Sequence, residues 1–258
     1  MNRTALITGA SSGIGLEMAR IHASRGGNLV LVARNLKKLE ELKSEFELKY
    51  SIRVHVIGKD LSVTDSAKEI YEEVRQQNIS IDFLINNAGY GDYGLFTDTD
   101  WEKEARMLQL NIVTLTQLTK ILLPDMISRG GGKIMNLGST ASFQPVALMT
   151  VYAATKAYVL SFSQAIHSEL AGKGITVTAL CPGLTESGFV DAAAMGDSKM
   201  TTKKLPTSRE VAEYGYDAMI KGKAIAVHGL KNRLLIFLQR FVSRRMAVEM
   251  TKHLMETK

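Results

Sequence analysis

Short apolar runs alternate along the chain with segments whose apolar residues recur every three or four positions. The runs are TALITG (4–9), NLVLVA (28–33), RVHVIGKD (53–60), DFLINNAG (82–89), KIMNLGS (133–139), TVTALCPG (176–183) and AIAVHG (224–229). This alternation predicts strands joined by helices, and therefore a parallel sheet. The runs are almost continuously apolar, as expected for strands covered on both faces. We predict a single doubly wound α/β domain over residues 1–258, with about seven parallel strands and helices on both faces.

Two segments depart from this regular pattern. Residues from about 184 to 206 follow a strand and contain small, polar and weakly periodic residues, which predicts a flap over the carboxyl edge of the sheet. From about 231 to 258, apolar clusters alternate with basic ones. That second pattern predicts an amphipathic C-terminal extension that is helical.

The composition is that of a soluble globular protein, with 258 residues, 45% hydrophobic and 22% charged. Cys181 is the one cysteine, so an intramolecular disulfide is impossible. The N-terminus lacks the pattern of a secretory signal and no apolar run approaches the length of a membrane span, so we expect a cytoplasmic location. The five histidines are widely separated and form no metal-ligand motif, so no metal is expected.

The net charge of +6 allows an anionic partner of some kind. Outside the C-terminal extension most lysines and arginines are scattered among acidic residues, and no nucleic-acid partner is expected. A hydrolase is also not indicated, because no G-x-S-x-G nucleophile motif follows a strand.

A glycine-rich loop, TGASSGIG (8–15), follows the first apolar run and opens a helical segment. Glycines permit a tight turn and a close approach of backbone to phosphate, and a helix N-terminus offers N–H groups and a positive dipole to a pyrophosphate. In a parallel sheet this position is where dinucleotides bind, as in the Rossmann fold. The predicted cofactor contacts here are Gly9, Ser11, Ser12, Gly13, Ile14 and Gly15.

The segment VYAATKAYVLSF (151–162) places Tyr152 and Lys156 one helical turn apart on the same face. Taken alone, the pair has an ordinary structural interpretation, a packed tyrosine beside a lysine whose stem is buried and whose amine reaches solvent. Its meaning therefore depends on the other motifs.

Five motifs occur together along the chain, in this order: TGxxxGIG, the NNAG at 86–89, the serine of GSTAS, the YxxxK pair and the PG at 182–183. Over residues 4 to about 187, the chain resembles the classical short-chain dehydrogenase/reductases. Within that family it is most similar to the DltE-type branch, and membership of this branch does not specify a substrate. The resemblance implies a Rossmann-type domain and reversible reduction of a ketone or aldehyde by hydride transfer.

The resemblance also implies a catalytic tetrad of Asn111, Ser139, Tyr152 and Lys156. Tyr152 would be the general acid/base. Lys156 would favour its phenolate and bind the nicotinamide ribose, and Ser139, thirteen residues before Tyr152, would polarise the carbonyl. Asn111 would bend its helix and hold a water of the proton relay; the alternative is an asparagine present only for packing.

Further cofactor contacts are carried over in the same way, with some alternatives open. Asp60 and Leu61 match the pair that contacts adenine, although Asp60 could instead cap the following helix. Asn87 would be partly structural, beside Ala88 and Gly89 near the adenosine ribose. Past the sixth run, Pro182 and Gly183 would shape the nicotinamide loop, and either Thr185 or Ser187 would bind the carboxamide.

The second run predicts the choice of cofactor. It ends in Ala33, where an NAD-preferring protein usually has an acid for the ribose 2′-hydroxyl, and Arg34 follows. A guanidinium suits a 2′-phosphate, so we predict NADP(H), the alternative being that Arg34 is a solvated loop residue.

The substrate is predicted only as a moderately apolar carbonyl compound. Aromatic and apolar residues after NNAG and in the flap support this class, namely Tyr90, Tyr93, Phe96, Phe189, Val190, Met195 and Met200. We expect a homodimer or homotetramer, with part of the C-terminal extension buried in the domain or an interface. Its arginines leave peripheral contact with a membrane open, as the less favoured alternative. A non-catalytic dinucleotide-binding regulatory or scaffold protein is the rival function.

Overall fold

A computed structural model describes residues 3–186 and 205–255 of the chain. Its centre is one seven-stranded sheet in the order β3-β2-β1-β4-β5-β6-β7, with every neighbouring pair parallel. The strands are β1 (Thr4–Thr8), β2 (Asn28–Ala33), β3 (Val54–Gly58), β4 (Phe83–Asn86), β5 (Gly132–Leu137), β6 (Ile175–Cys181) and β7 (Ile225–Val227). The predicted strands and fold class are confirmed.

Helices connect these strands and cover both faces of the sheet. In the described ranges they are α1 (Gly13–Ser24), α2 (Leu36–Tyr50), α3 (Ser66–Gln76), α4 (Trp101–Leu108), α5 (Leu115–Ser128), α6 (Thr150–Glu169), α7 (Ser208–Ile220), α8 (Leu230–Leu238) and α9 (Arg244–Met255). A π-helical turn, Gln109–Thr114, joins α4 to α5, and short 3-10 turns cover Thr140–Phe143 and Gln239–Phe241.

Alternate residues of each strand enter two separate cores. On one face Ile7 and Leu31 pack with Met18 of α1 and Phe46 of α2. On the other face the strand residues Leu6, Val30, Leu84 and Ile134 form a second cluster. They pack there with Ile70 of α3 and with Leu118 and Met126 of α5. The strands are apolar on both sides because both sides are buried, which is the physical basis of the continuous runs in the sequence.

The strand order reverses between β1 and β4, so the connections from these two neighbours leave in opposite directions. A crevice opens at the carboxyl ends of strands at such a point, and ligands of open α/β sheets bind there. The loops that follow β1 and β4 are the glycine-rich loop and the NNAG segment, which the fold thereby brings together.

The predicted flap is described only at its two ends. The backbone N–H of Glu186 donates to the carbonyl oxygen of Pro206 at 2.9 Å, which joins the start of the segment to its end. The residues between, 187–204, lie outside the described part of the chain, and with them Ser187 and the predicted substrate contacts Phe189, Val190, Met195 and Met200.

The C-terminal extension differs in part from its prediction. It is helical but not continuous, because α8 ends in the 3-10 turn at 239–241 and α9 begins at Arg244. No residue of α8 is buried, whereas Thr251 and Met255 of α9 are buried. The expected burial of part of the extension in the domain is therefore met at its end by Thr251 and Met255, and burial of α8 in a subunit interface stays a prediction. Among the described residues, no helix combines the length and the apolar character needed to cross a bilayer.

A chain of buried side-chain amides ties the centre of the sheet to two helices. The Asn86 amide on β4 donates to Asn136 Oδ1 on β5 at 2.9 Å and to Thr119 Oγ1 on α5 at 3.1 Å. The Asn136 amide in turn donates to Ser163 Oγ on α6 at 2.9 Å. Buried polar groups are costly unless they are hydrogen-bonded, so this chain of amides determines how α5 and α6 pack against the sheet.

Replacing Asn136 by valine should lower the free energy of unfolding by roughly 1–3 kcal/mol, because the Asn86 amide loses a buried acceptor. The matched control is Thr178→Val on the adjacent strand. Within the described structure the buried Thr178 hydroxyl has no hydrogen-bond partner, so its removal should be neutral or stabilising. Urea unfolding of both variants measures the difference, and equal losses of stability would contradict this account of the amide chain.

Candidate active site

A crevice of about 760 Å³ lies at the carboxyl edge of the sheet. The segments after six of the strands contribute to its walls: Gly9 and 11–14 after β1, Ala33–Asn35 at β2, 59–62 after β3, 87–90 after β4, 137–141 at β5 and Pro182–Thr185 after β6. Tyr152 and Lys156 of α6 also line it. The glycine-rich loop and the tyrosine–lysine pair, distant in the sequence, therefore belong to a single cavity.

The glycine-rich loop turns tightly at two glycines. Gly9 and Gly13 have φ angles of 66° and 58°, a backbone region that residues with a side chain rarely adopt. Gly15 is required for a different reason, since a Cβ there would lie 2.4 Å from the carbonyl oxygen of Gly9 and from Asn87 Nδ2. α1 begins at Gly13, and the Ser12 side chain makes no capping hydrogen bond to it. The N–H groups of the first turn of α1 are thus not occupied by a side-chain cap, as an anion site requires.

Asn87 and Thr8 hold this loop against the end of β4. The Asn87 amide donates to the carbonyl oxygens of Thr8 and Gly9 at 3.0 and 3.2 Å. In the other direction, Thr8 Oγ1 accepts from the backbone N–H groups of Asn87 and Ala88, both at 3.0 Å. The partly structural role expected for Asn87 is thus seen directly. Thr8 was not among the predicted site residues, although it is the first residue of the glycine-rich motif TGASSGIG.

The far end of the crevice is surrounded by basic residues and one carboxylate. Arg34, Lys59, Asp60, Leu61 and Arg106 line it. Asp60 accepts hydrogen bonds from the backbone N–H and hydroxyl of Ser62 and forms an ion pair with Arg106 at 2.6 Å.

The Asp60 carboxyl is ionised readily. Partial burial opposes its ionisation, but the hydrogen bonds from Ser62 and the charges of Arg106 and Arg34 together hold its pKa below the ordinary value. Asp60 does not cap α3, which begins only at Ser66, so that alternative is wrong. Arg106 and Lys59 were not predicted, because nothing in their local sequence relates them to the loop motif.

At the opposite end, Tyr152 and Lys156 are almost completely buried. Lys156 Nζ donates to the carbonyl oxygen of Leu137 at 2.7 Å and lies 5.7 Å from the centre of the Tyr152 ring. Burial lowers the pKa of Lys156 to about 8. Burial also raises the pKa of Tyr152 to about 12, against the opposing effect of a hydrogen bond with the Ser139 side chain. At neutral pH Tyr152 is therefore a protonated phenol, not the phenolate that a strong influence of Lys156 would give.

Ser139 is positioned by the end of β5. It precedes the 3-10 turn at 140–143, and its hydroxyl accepts the backbone N–H of Ala141 at 3.1 Å. Its backbone N–H is in turn bound by the hydroxyl of Ser142 at 3.1 Å. The serine hydroxyl thus faces the same crevice as Tyr152 on a backbone that two local hydrogen bonds hold in place.

Asn111 lies in the π-helical turn between α4 and α5, where the helix is locally widened. Its amide donates to the carbonyl oxygen of Tyr90 at 3.0 Å and to Thr155 Oγ1 at 3.1 Å. Its Oδ1 is buried and accepts no hydrogen bond from the described residues. A Cβ built on Gly89 would lie 3.0 Å from Asn111 Oδ1 and 3.4 Å from Lys156 Nζ, so both atoms border the space behind Gly89. The π-helical turn falls at the residue where the bend was predicted, and the bend itself stays a prediction.

The loop after β6 forms the remaining wall of the cofactor side. The carbonyl oxygen of Pro182 accepts the backbone N–H of Thr140 at 2.9 Å, and the hydroxyl of Thr185 donates to the carbonyl oxygen of Gly183 at 3.0 Å. Thr185 is buried and lines the crevice. Thr185 is thus the one of the two candidate hydroxyl residues that lies in the described structure, and the choice between it and Ser187 stays a prediction.

The end of the crevice beside Tyr152 contains residues that sequence reasoning missed. They are Gln144, Val146, Met149, Thr251 and Met255. Thr251 and Met255 come from α9, which is held against the domain by two contacts. The Thr251 hydroxyl donates to the carbonyl oxygen of Pro145 at 3.1 Å, and the Tyr93 hydroxyl donates to that of Met255. The C-terminal extension is therefore a wall of this crevice.

Two other possibilities suggested by the residue types find no support. Cys181 is fully buried, and burial raises the pKa of its thiol to about 12, so the predicted core position is confirmed. In the described parts of the chain, no cluster of histidine, cysteine, aspartate or glutamate side chains has the arrangement of a metal site.

The fold and the crevice together define an α/β protein with a glycine-rich loop of the dinucleotide-binding type and a serine beside a buried tyrosine–lysine pair. A sequence model of the short-chain dehydrogenase family matches residues 3–196. The chain belongs to this family, whose members bind NAD(P). The narrower DltE-type branch stays a prediction.

Comparisons with individual proteins agree with that assignment. The chain is 35% identical over 185 residues to the very-long-chain 3-oxoacyl-CoA reductase of Rattus norvegicus. The matched region covers 69% of this chain but only 58% of the rat protein. Two solved structures are similar over nearly the whole chain. One is the bulky-bulky ketone specific alcohol dehydrogenase of Comamonas testosteroni (TM-score 0.80, 32% identity, 93% of each chain). The other is a short-chain dehydrogenase from Sphingobium yanoikuyae in complex with NADPH (TM-score 0.83, 31% identity, 93% of this chain and 94% of that one).

The buried lysine predicts a specific pH dependence of stability. Its pKa in the folded chain is about 8, below the value of about 10.4 for an exposed lysine, so between these values the unfolded chain binds more protons. Stability should therefore rise with pH in this window. From about pH 7.5 to about pH 9.5 the wild type should gain roughly 1–2 kcal/mol relative to Lys156→Met. Urea unfolding at both pH values gives this difference.

The control for that experiment is Lys173→Met, which removes an exposed lysine and should follow the pH dependence of the wild type. Parallel curves for the wild type and Lys156→Met would mean that Lys156 titrates as an exposed amine.

Proposed function

We propose that the protein is an NADP(H)-dependent reductase of ketones or aldehydes that works reversibly. The observation that carries this proposal is the convergence of Ser139, Tyr152 and Lys156 in the same crevice as the glycine-rich loop. The residues fit a bound dinucleotide, because the loop has the positive φ angles and the close backbone approach that a pyrophosphate needs, at a helix N-terminus. Lys156 and Thr185 line the same crevice further along.

NADPH supplies a hydride to the carbonyl carbon when it is bound in such a site. The proton for the carbonyl oxygen comes from Tyr152, which is suited to the role of acid because its phenol is protonated at neutral pH. The Ser139 hydroxyl binds the same oxygen and holds the carbonyl in line with Tyr152. Together the hydride and the proton convert the carbonyl to an alcohol.

Loss of the proton leaves a phenolate on Tyr152, which the ammonium group of Lys156 stabilises. This charge pair forms in a buried place, where an electrostatic interaction is stronger than in water. In the oxidative direction the roles reverse, and Tyr152 takes the proton from the alcohol. Asn111 keeps the wall beside Lys156 in place, and its buried Oδ1 can accept a hydrogen bond on the path by which Tyr152 is reprotonated.

The preference for NADP(H) is proposed from the far end of the crevice. Ala33 leaves no carboxylate at the end of β2, and the exposed Arg34 lines the crevice directly after it. The nearby Asp60 is engaged by Arg106, which lessens its repulsion of a phosphate. The NADPH complex of the Sphingobium protein supports the same choice.

The substrate is proposed to be a moderately apolar carbonyl compound. The crevice end beside Tyr152 is walled by Val146, Met149 and Met255, with Thr251 and Gln144 as the polar groups. The ketone named for the Comamonas enzyme and the 3-oxoacyl thioester named for the rat enzyme are both in this class. The oligomeric state and the cytoplasmic location stay predictions.

Tyr152→Phe should lower the rate of carbonyl reduction by roughly 100- to 10,000-fold, because it removes the hydroxyl that supplies the proton. Binding of NADPH should change little. The measurement is the decrease of nicotinamide absorbance with a panel of aliphatic, aromatic and 3-oxoacyl carbonyl compounds, alongside a titration of cofactor binding. A variant that keeps its rate would exclude Tyr152 as the acid. A wild type that binds NADPH and reduces nothing in the panel would favour the non-catalytic rival.

The double variant Ala33→Asp with Arg34→Ala should move cofactor preference toward NADH. A charge-assisted contact with phosphate is worth about 1.5–3 kcal/mol, which is about 10- to 100-fold in affinity for NADPH. Lys38→Ala is the matched control, because Lys38 is close in sequence but is paired with Glu41 at 3.0 Å. Catalytic efficiencies with both cofactors are to be compared. Similar efficiencies of the wild type with NADH and NADPH would refute the assignment.

A further inference from the structure

The outer side of the C-terminal extension exposes a row of large apolar side chains. Leu230, Leu234, Phe237, Leu238 and Phe241 recur at the spacing of one helical face. Each is at least 47% exposed, and Leu230 and Phe241 reach 81% and 76%. The Phe237 and Phe241 rings contact each other, with centroids 5.6 Å apart, and Leu235 lies beside them in sequence and is also exposed. We call these six residues the apolar row. A contiguous apolar patch on a soluble surface marks a contact site.

Basic residues alternate with the apolar row along the chain. They are Lys231, Arg233, Arg240, Arg244 and Arg245, and all five are exposed. Residues 230–248 contain no acid, the next one being Glu249. Within the described residues, none of the five basic side chains takes part in an ion pair. The surface is therefore both apolar and positively charged, without internal compensation.

The extension is attached to the domain at several points, so the apolar row has a fixed position. The Gln239 amide hydrogen-bonds to Gln144, and a Cβ on Gly183 would lie 2.7 Å from Asn232 Nδ2. At the other end, Thr251 and Met255 are buried against the loop that precedes α6. These contacts use the inner side of the extension and leave the apolar row outside.

Two binding partners could cover an apolar surface of this kind: a second copy of the chain and a lipid bilayer. A two-fold self-interface would bring together the same patch from both copies, and with it the five uncompensated cations of each. Those charges would repel one another at the interface. An anionic bilayer supplies the missing negative charges in its headgroups and an apolar layer just below them, so it matches both properties of the surface.

We propose that residues 230–250 dock the protein on an anionic membrane surface. The apolar row enters the boundary between headgroups and acyl chains, and the five basic side chains bind lipid phosphates. α8 has nine residues and lies along the surface, since it is too short to span the apolar layer. Met250 is on the exposed side of α9, about 8 Å along the helix axis from the buried Met255 in the crevice wall. Docking would therefore bring the substrate end of the crevice close to the bilayer.

The test is flotation of the full-length chain with vesicles of phosphatidylcholine alone and of phosphatidylcholine mixed with phosphatidylglycerol. The readout is binding, so it does not depend on the proposed reductase activity. The wild type should bind the mixed vesicles, bind pure phosphatidylcholine far less, and lose affinity as salt is raised.

Two variants separate the charged and the apolar contributions. Arg240→Gln with Arg244→Gln and Arg245→Gln should weaken binding about 100-fold at low salt, because each cation near an anionic surface contributes about fivefold. Leu234→Gln with Phe241→Gln should weaken it at least about 10-fold, through lost apolar burial. Both variants change residues outside the crevice, and their melting temperatures should match the wild type.

The controls remove the same groups elsewhere on the surface. Lys173→Gln with Lys221→Gln and Lys223→Gln deletes three exposed cations, and Leu48→Gln with Ile220→Gln deletes two exposed apolar side chains. Both controls should bind vesicles as the wild type does. Equal losses in a control and its matched variant would overturn the proposal, as would a wild type that does not bind anionic vesicles.

Molecular mass in solution decides between the two occupants. One outcome is a wild type that does not bind vesicles and has twice the molecular mass of the Leu234→Gln, Phe241→Gln variant. The surface is then a self-interface and the proposal is wrong. A wild type that ignores vesicles and has the same mass as this variant would mean that the apolar row is covered within the chain, which also overturns it. Loss of vesicle binding at unchanged mass supports the membrane surface.

Discussion

Asn87 at the end of β4 and Thr8 at the end of β1 exchange hydrogen bonds, and the arrangement of the crevice depends on them. The Asn87 amide binds two carbonyl oxygens of the glycine-rich loop, while Thr8 Oγ1 accepts two backbone N–H groups from the β4 side. Loop backbone would otherwise be the most variable part of the edge of a sheet. Here it is held so closely that Gly15 has no room for a Cβ. The loop that would bind phosphate is thereby fixed relative to β4, and Gly89, two residues beyond Asn87, borders Asn111 and Lys156.

Burial has opposite consequences for the two ionisable groups at the other end of the crevice. It keeps the Tyr152 phenol protonated and makes the Lys156 amine easier to deprotonate. Both effects have one cause, the cost of a charge away from water. A proton transfer that creates a phenolate beside an ammonium group replaces one buried charge by a pair of opposite charges, which is less costly than an isolated anion. The same surroundings that oppose ionisation in the resting chain therefore make Lys156 the natural partner of Tyr152 during turnover.

Features governed by neighbours in the chain were predictable from the sequence. The seven strands followed from continuous apolar runs, because each strand is buried on both faces. The glycine-rich loop and the Tyr152–Lys156 spacing are equally local, since each depends on a few adjacent residues. The apolar row was visible as a pattern too, but the pattern did not show which part of the extension packs on the domain. Periodicity shows that a helix has an apolar side and does not show whether that side faces the domain or the solvent.

The sequence by itself determined the fold class, the order of the strands' motifs and the residue types that the chemistry requires, because these are encoded in short periodic or closely spaced patterns. Only the tertiary structure decided which distant residues share the crevice. The Arg106–Asp60 ion pair, the Asn86–Asn136–Ser163 amide chain and the wall formed by Thr251 and Met255 all join segments separated by tens of residues or more. Their positions are set by how helices pack on the sheet and where the chain crosses it. Those distances depend on the packing of the whole domain, which no local pattern in the sequence records.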